Sequence, residues 1–213
     1  SRGLGDVYKR QVAGYMFEYC LHGNVTIEGL IINYTVFMAF GEVTCMIFGG
    51  LSPVFTKTVG SKRMAFFWSA LLCLVLSIAF FFIPMSPDYI WVMIALVILT
   101  SIGIGIYSPL MWSMYADVAD YHTEHFGTSA TGLIFSSGTM SQKFGTAISG
   151  SLIALFLGWA GANMITDEMG NTVIDPTSIT DSVLMMVWSL FSLFPAVIAF
   201  LLMVLSYKFP IKK

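Results

Sequence analysis

Charge is what this chain has least of. Only 10% of its 213 residues are Asp, Glu, Lys or Arg, while 57% are hydrophobic and the mean hydropathy is +0.82. A soluble domain carries roughly 25% charged residues, so a water-solvated globule is excluded. Cysteine is also scarce: Cys20, Cys45 and Cys73 stand in apolar surroundings with no CxxC or Cys/His cluster. That excludes a disulfide framework or thiolate metal centre and leaves three small core residues. Catalytic signatures are missing as well. Lys143 is followed by Phe144 and lacks the glycine-rich lead-in of a phosphate loop, and there is no G-x-S-x-G elbow or H-E-x-x-H pair. The expectation is a protein that is not an enzyme and needs no cofactor. No basic patch with interleaved aromatics points to nucleic acid.

What is present is long apolar sequence. Five spans can be drawn, over residues 30–55, 64–85, 89–116, 131–160 and 183–207. Each exceeds the roughly 20 residues that cross the hydrocarbon at about 1.5 Å rise per residue. Residues 12–22 are apolar but too short, and read as the end of a severed sixth helix. The predicted fold is therefore an all-α membrane bundle over residues 12–213. The first eleven residues, SRGLGDVYKRQ, resemble the translated end of a sequencing-library transposon and are expected to be a non-native scar. Without them the chain keeps seven basic and eleven acidic residues.

Loop charge sets a direction. Lys57, Lys62 and Arg63 follow the first span and Lys208, Lys212 and Lys213 the last, whereas loops 23–29, 86–88 and 161–182 contain no Lys or Arg. By the positive-inside rule the basic loops and the C-terminus are cytoplasmic. Loop 161–182, with Asp167, Glu168, Gly170, Asp175 and Pro176, reads as a solvated outer loop. Pro109, preceded by Gly103 and Gly105, predicts a kink in the third span. Whether that is a hinge or only packing stays open.

Two ionisable groups lie near mid-span, Glu42 and Lys143. A charge there costs about 2.5–3.5 kcal/mol on insertion scales, so it faces a bundle interior or a wet cavity. Helical spacing puts Gly132, Ser136, Thr139, Lys143, Thr146 and Gly150 along one face, opposite Leu133, Phe144, Ile148 and Leu155. Small residues such as Gly145 and Ser149 suit helix packing; a lysine does not. Lys143, with Thr139 and Ser136, is read as lining a passage for substrate or ion, with a structural ion pair as the other reading. Glu42 could pair with Lys143, line the same cavity or carry a proton. At the inner end of the third span, Asp117 and Asp120 share a helix face, within reach of the 57–63 loop. A salt-bridged gate with Tyr121, Lys62 and Arg63 is expected there. His122 and His125 beside Asp120 read as solvated, with no metal site. Trp112, one turn away, supports the gate or marks the membrane interface.

The run WSMYADVADYHTEHFGTSATGLIFSSGTMSQKFGTAISG resembles the glycoside–pentoside–hexuronide:cation symporters, the melibiose-permease family of the major facilitator superfamily. That family has an A-D-x-x-D-Y motif ending its tenth helix, a G-L-x-F-S-like run opening the eleventh and K-x-G-x-A within it. Here these are Ala116, Asp117, Asp120 and Tyr121; Gly132, Leu133, Phe135 and Ser136; and Lys143, Gly145 and Ala147. The turn Gly60–Arg63 is similar to the family's basic loop between helices eight and nine. The basic residue expected between Gly127 and Gly132 is missing, which alters the cytoplasmic charge network. The resemblance implies the C-terminal six-helix half of a major facilitator fold, from late helix seven to helix twelve, with the N-terminal half as its missing partner. It further implies a multi-pass protein of a bacterial inner membrane that couples Na+, H+ or Li+ to uptake of a sugar or glycoside by alternating access. Lys143 would then face the central cavity. A non-transporting membrane bundle for assembly or sensing is the alternative.

Overall fold

A computed structural model describes residues 12–21, 23, 25–27, 30–166 and 172–208. The scar assigned to residues 1–11, the acidic Asp167 and Glu168, and the terminal Lys212 and Lys213 lie outside them.

Five long helices form the body: α1 (Tyr34–Val59), α2 (Lys62–Phe81), α3 (Ile90–Phe126), α4 (Thr131–Trp159) and α5 (Asp181–Lys208). Four of them, α1, α2, α3 and α5, are long and apolar enough to cross a membrane. At 29 residues α4 is long enough too, but its many Ser, Thr and Gly residues lower its hydropathy. The all-α membrane architecture read from the sequence is the one observed.

The helix ends differ from the expected spans for local reasons. Residues 30–33 do not begin α1. Leu30–Ile32 forms strand β2, paired antiparallel with β1 (Val25–Ile27), Val25 opposite Ile32. Asn33 then caps α1, its Oδ1 accepting the Val36 N–H at 3.0 Å. The helix ends at Gly60, whose φ of 81° is the left-handed C-cap geometry that glycine adopts freely. α3 continues ten residues past the expected end at Ala116, through ADVADYHTEHF, until Gly127 at φ 67°. Charged residues end the apolar run without ending the helix. At 37 residues and about 1.5 Å each, α3 is far longer than the hydrocarbon is thick, so part of it projects beyond.

α1 packs along α3, α2 packs along both α3 and α5, and α4 lies against α3 and α5. Glycines on α3 set the closest approaches. A Cβ at Gly105 would stand 2.6 Å from the Cys45 carbonyl of α1, and one at Gly103 would stand 2.5 Å from Cys73 Sγ of α2. α3 runs unbroken through Pro109, and these glycines are packing positions. Buried Ser52 of α1 donates to the Ile106 carbonyl at 3.0 Å, joining the same two helices.

Phe37, Phe80, Trp188 and Phe191 centre the larger core, with Trp188 Nε1 donating to the Phe81 carbonyl at 3.2 Å. The short apolar segment joins this core: a helical turn leads into a π-helical turn, Met16–Cys20, and Met16 and Phe17 are buried. Residues 161–182 are only partly the solvated loop expected. They contain an antiparallel hairpin, β3 (Met164–Thr166) and β4 (Thr172–Ile174), and Ala162, Ile174 and Ser178 are buried. Tyr19 Oη donates to the Ile174 carbonyl at 3.1 Å, tying the hairpin to the first segment. Asp175 accepts from the Thr177 N–H and hydroxyl at 2.9 and 2.8 Å, and these bonds hold its carboxyl below the usual carboxylate range.

Candidate functional site

α4 is seated by small residues and aromatic rings. Gly138 lets it meet Tyr115 of α3: a Cβ there would lie 2.6 Å from Tyr115 Cε2. Phe135 stacks on Trp112 with centroids 6.1 Å apart and meets Tyr115 edge-on. Trp112 therefore belongs to an aromatic seam between α3 and α4. Ser149, Ile153 and Leu157 complete the buried face. Gly138 and Tyr115 were not legible as partners, because their contact joins two helices.

That seating turns the polar stripe outward. Gly132, Ser136, Thr139 and Lys143 are exposed, and Thr146 and Gly150 are half-buried. An open groove is lined by Ser136, Thr139, Met140, Lys143, Phe144 and Ala147. The Ser136 and Thr139 hydroxyls donate to the Leu133 and Phe135 carbonyls at 3.0 and 2.9 Å. Their protons are used within the helix, so the groove sees lone pairs and the Lys143 ammonium. This set can hold a hydroxylated or anionic ligand. Among the described residues Lys143 has no ion pair. The apolar side of the helix, Leu133, Phe144, Ile148 and Leu155, is exposed as well.

Glu42 is not in this groove. It stands at the mouth of a separate cleft between α1, α2, α3 and α5, lined also by Ser77, Thr100 and Ser101. The expectation that Glu42 shares the Lys143 cavity is corrected: its face of α1 turns toward α3, and α4 sits elsewhere on the bundle. Sequence reading missed these hydroxyl residues because single serines in apolar helices carry no periodic signal.

The second charged cluster is partly assembled. Lys62 Nζ donates to both Asp117 carboxylate oxygens, at 2.8 and 2.9 Å, with side chains 30% and 13% exposed. Lys62 occupies the first turn of α2, where the helix dipole disfavours a cation, and Asp117 compensates. Arg63 of the same turn places its guanidinium 5.4 Å from the centre of the Tyr207 ring of α5. Asp120 and Lys57 are exposed, and Tyr121 stacks on His125 with centroids 3.9 Å apart. His122 Nδ1 lies 3.0 Å from the Thr128 carbonyl. Among the described residues no group of three His, Cys, Asp or Glu side chains is arranged to hold a metal ion.

Residues 15–213 match the family model described as MFS/sugar transport protein. The chain is 30% identical over 129 residues to the inner membrane symporter YicJ of Escherichia coli K12, covering 59% of this chain and 27% of that protein. It is 29% identical over 121 residues to the putative glycoside/cation symporter YagG of the same organism, covering 54% and 26%. It is 39% identical over 101 residues to an uncharacterized 29.9 kDa protein of Pseudescherichia vulneris, covering 47% and 36%. The matched stretch thus spans between a quarter and a little over a third of these relatives' lengths. No solved structure matches.

Proposed function

On the premise that this chain belongs to the sugar transport proteins of the major facilitator superfamily, in the glycoside–pentoside–hexuronide group, we propose that it forms part of a cation-coupled glycoside symporter. The observation that carries this reading is the groove on α4. Ser136, Thr139 and Lys143 present an ammonium and hydroxyl lone pairs beside exposed apolar residues of the same helix, Leu133, Met140, Phe144 and Ile148. An uncompensated cation facing lipid is unfavourable; facing a wet cavity between two helical halves, it has a use. There it would hydrogen-bond sugar hydroxyls or balance carboxylates supplied by the rest of the protein. Alternating access would come from rocking of those halves about the midplane site.

The Lys62–Asp117 pair supports a latch at the basic end of the bundle, which positive-inside reasoning puts at the cytoplasmic face of a bacterial inner membrane. YicJ is named an inner membrane symporter, in keeping with that location. The coupling ion is Na+, H+ or Li+.

The test is counterflow of labelled glycosides with the full-length protein, with and without Na+, comparing wild type with Lys143→Ala. Coupled uptake is expected in the wild type, and Lys143→Ala is expected to lower it at least tenfold. Unchanged uptake in the variant would remove Lys143 from the site. No uptake of any glycoside by wild type would favour a non-transporting bundle.

A further inference from the structure

The inner half of α4, which carries the groove, is seated on α3 by an aromatic seam. Between Thr131 and Ile148 only Gly138 is buried. The hydroxyls of Ser136, Ser137, Thr139, Ser141 and Thr146 all donate to carbonyls three or four residues back in α4 itself. Among the described residues no hydrogen bond or ion pair joins this stretch to another helix. The outer half is anchored differently. Ser149, Ile153 and Leu157 are buried, and Phe156 meets Phe194 of α5 with centroids 6.2 Å apart.

The seam and the groove occupy opposing faces. At about 100° per residue, Gly138 lies roughly 180° round the helix from Ala147, 160° from Ser136 and 140° from Lys143. The seam also has little give. A Cβ on Gly138 would lie 2.6, 3.1 and 3.2 Å from Cε2, Cζ and Cδ2 of Tyr115. That ring is held in turn: Trp112 meets it edge-on at 5.6 Å and Phe135 at 6.3 Å, and Trp112 stacks on Phe135. Both stand in the way of a rotation of Tyr115, so bulk added at Gly138 is relieved by movement of α4.

We propose that Tyr115 and Gly138 are positioning residues for the groove: their contact sets the direction in which α4 presents Lys143, and with it the affinity for a glycoside. The inference rests on the glycoside reading of the groove. Neither residue lines the groove, and neither belongs to the motifs matched in the sequence. Lys143 follows Gly138 by five residues, about 7.5 Å along the axis at roughly 1.5 Å each, so the helix carries a displacement at the seam to the ammonium. A shift of about 1 Å matters there, because polar contacts weaken steeply as distance and angle depart from the ideal.

The test uses the full-length protein with Lys143→Cys and follows N-ethylmaleimide alkylation of residue 143 by peptide mass spectrometry. Gly138→Ala is expected to change that rate at least threefold, and adding Tyr115→Leu should return it to within twofold. Tyr115→Trp presses the same seam from α3 and should also change the rate, which keeps the test open if Gly138→Ala does not fold. Gly105→Ala, destabilising at another pair of helices, should leave the rate unaltered. With Lys143 in place, counterflow of labelled methyl glucoside or methyl glucuronide gives a second readout. Gly138→Ala should raise the half-saturating concentration at least fivefold with little change in maximal rate, and Tyr115→Leu should restore it. Alkylation unaffected by both Gly138→Ala and Tyr115→Trp would overturn the inference. So would an equal change with Gly105→Ala, which would mark a general loosening. Alkylation reports where residue 143 stands whether or not a glycoside is carried, so failure here is distinct from failure of the glycoside reading, which appears as absent wild-type counterflow.

Discussion

At the scale of single residues, two carboxylates show how context sets the worth of a charge. Asp117 receives two hydrogen bonds from Lys62, but the pair is only partly buried, so its contribution is modest. Lys62→Ala and Asp117→Ala should each lower thermal stability in detergent by about 1 kcal/mol, and the double variant should lose little more than either single one. Additive losses would show that the two groups do not interact. Asp175 is half-buried, and its carboxyl is depressed by the Thr177 N–H and hydroxyl. A depressed carboxyl stabilises the folded form above its unfolded value, and that benefit is lost as pH falls through the lower folded value. The Thr177 amide resonance should therefore titrate with a midpoint below the ordinary aspartate value of about 3.9, and Asp175→Asn should remove the titration. The motif of residues 116–128 made an acidic cluster visible, and its reach to a basic loop was foreseeable. The sequence did not reveal that Lys62 takes Asp117 or that Arg63 lies over the Tyr207 ring, because such contacts are set only by helix packing.

At the scale of elements, glycine contacts govern how the helices sit. Gly105→Ala would push a methyl against the Cys45 carbonyl and Cα and the Phe48 Cβ of α1. Backbone cannot yield there, so a loss of about 1–3 kcal/mol is expected by thermal unfolding. At Gly138→Ala the nearest atoms are those of the Tyr115 ring, so Tyr115→Leu should restore most of the lost stability in that background while doing nothing for Gly105→Ala. Equal rescue of both would contradict the packing described. Helix existence was legible from long apolar runs, since the cost of burying backbone polar groups in hydrocarbon leaves few alternatives to helix. Helix ends were less legible. Residues 30–32 read as the start of a span because Leu and Ile are apolar in either state; strand pairing with Val25–Ile27 decided otherwise. α3 outran its apolar stretch because a left-handed glycine, and not a charge, ends it.

At the scale of the whole molecule, exposed apolar side chains on α1 and α4 adjoin polar ones. Met46, Val54, Leu133 and Ile148 are all more than half exposed, a surface suited to lipid or to further helices. The chain expressed in Escherichia coli should remain in the membrane pellet after alkaline carbonate washing; recovery in the supernatant would refute a spanning bundle. Composition and hydropathy by themselves determined the solvent, the all-α class and the unusual position of Lys143, because apolar length and rare charge are properties of the chain in one dimension. Tertiary structure decided which polar residues meet. Lys143 and Glu42, both mid-span charges in sequence, line different spaces because α1 packs on α3 while α4 is rotated by the Gly138–Tyr115 contact. Whether two helix faces meet depends on how each helix is turned against its neighbours, which no spacing within one helix records.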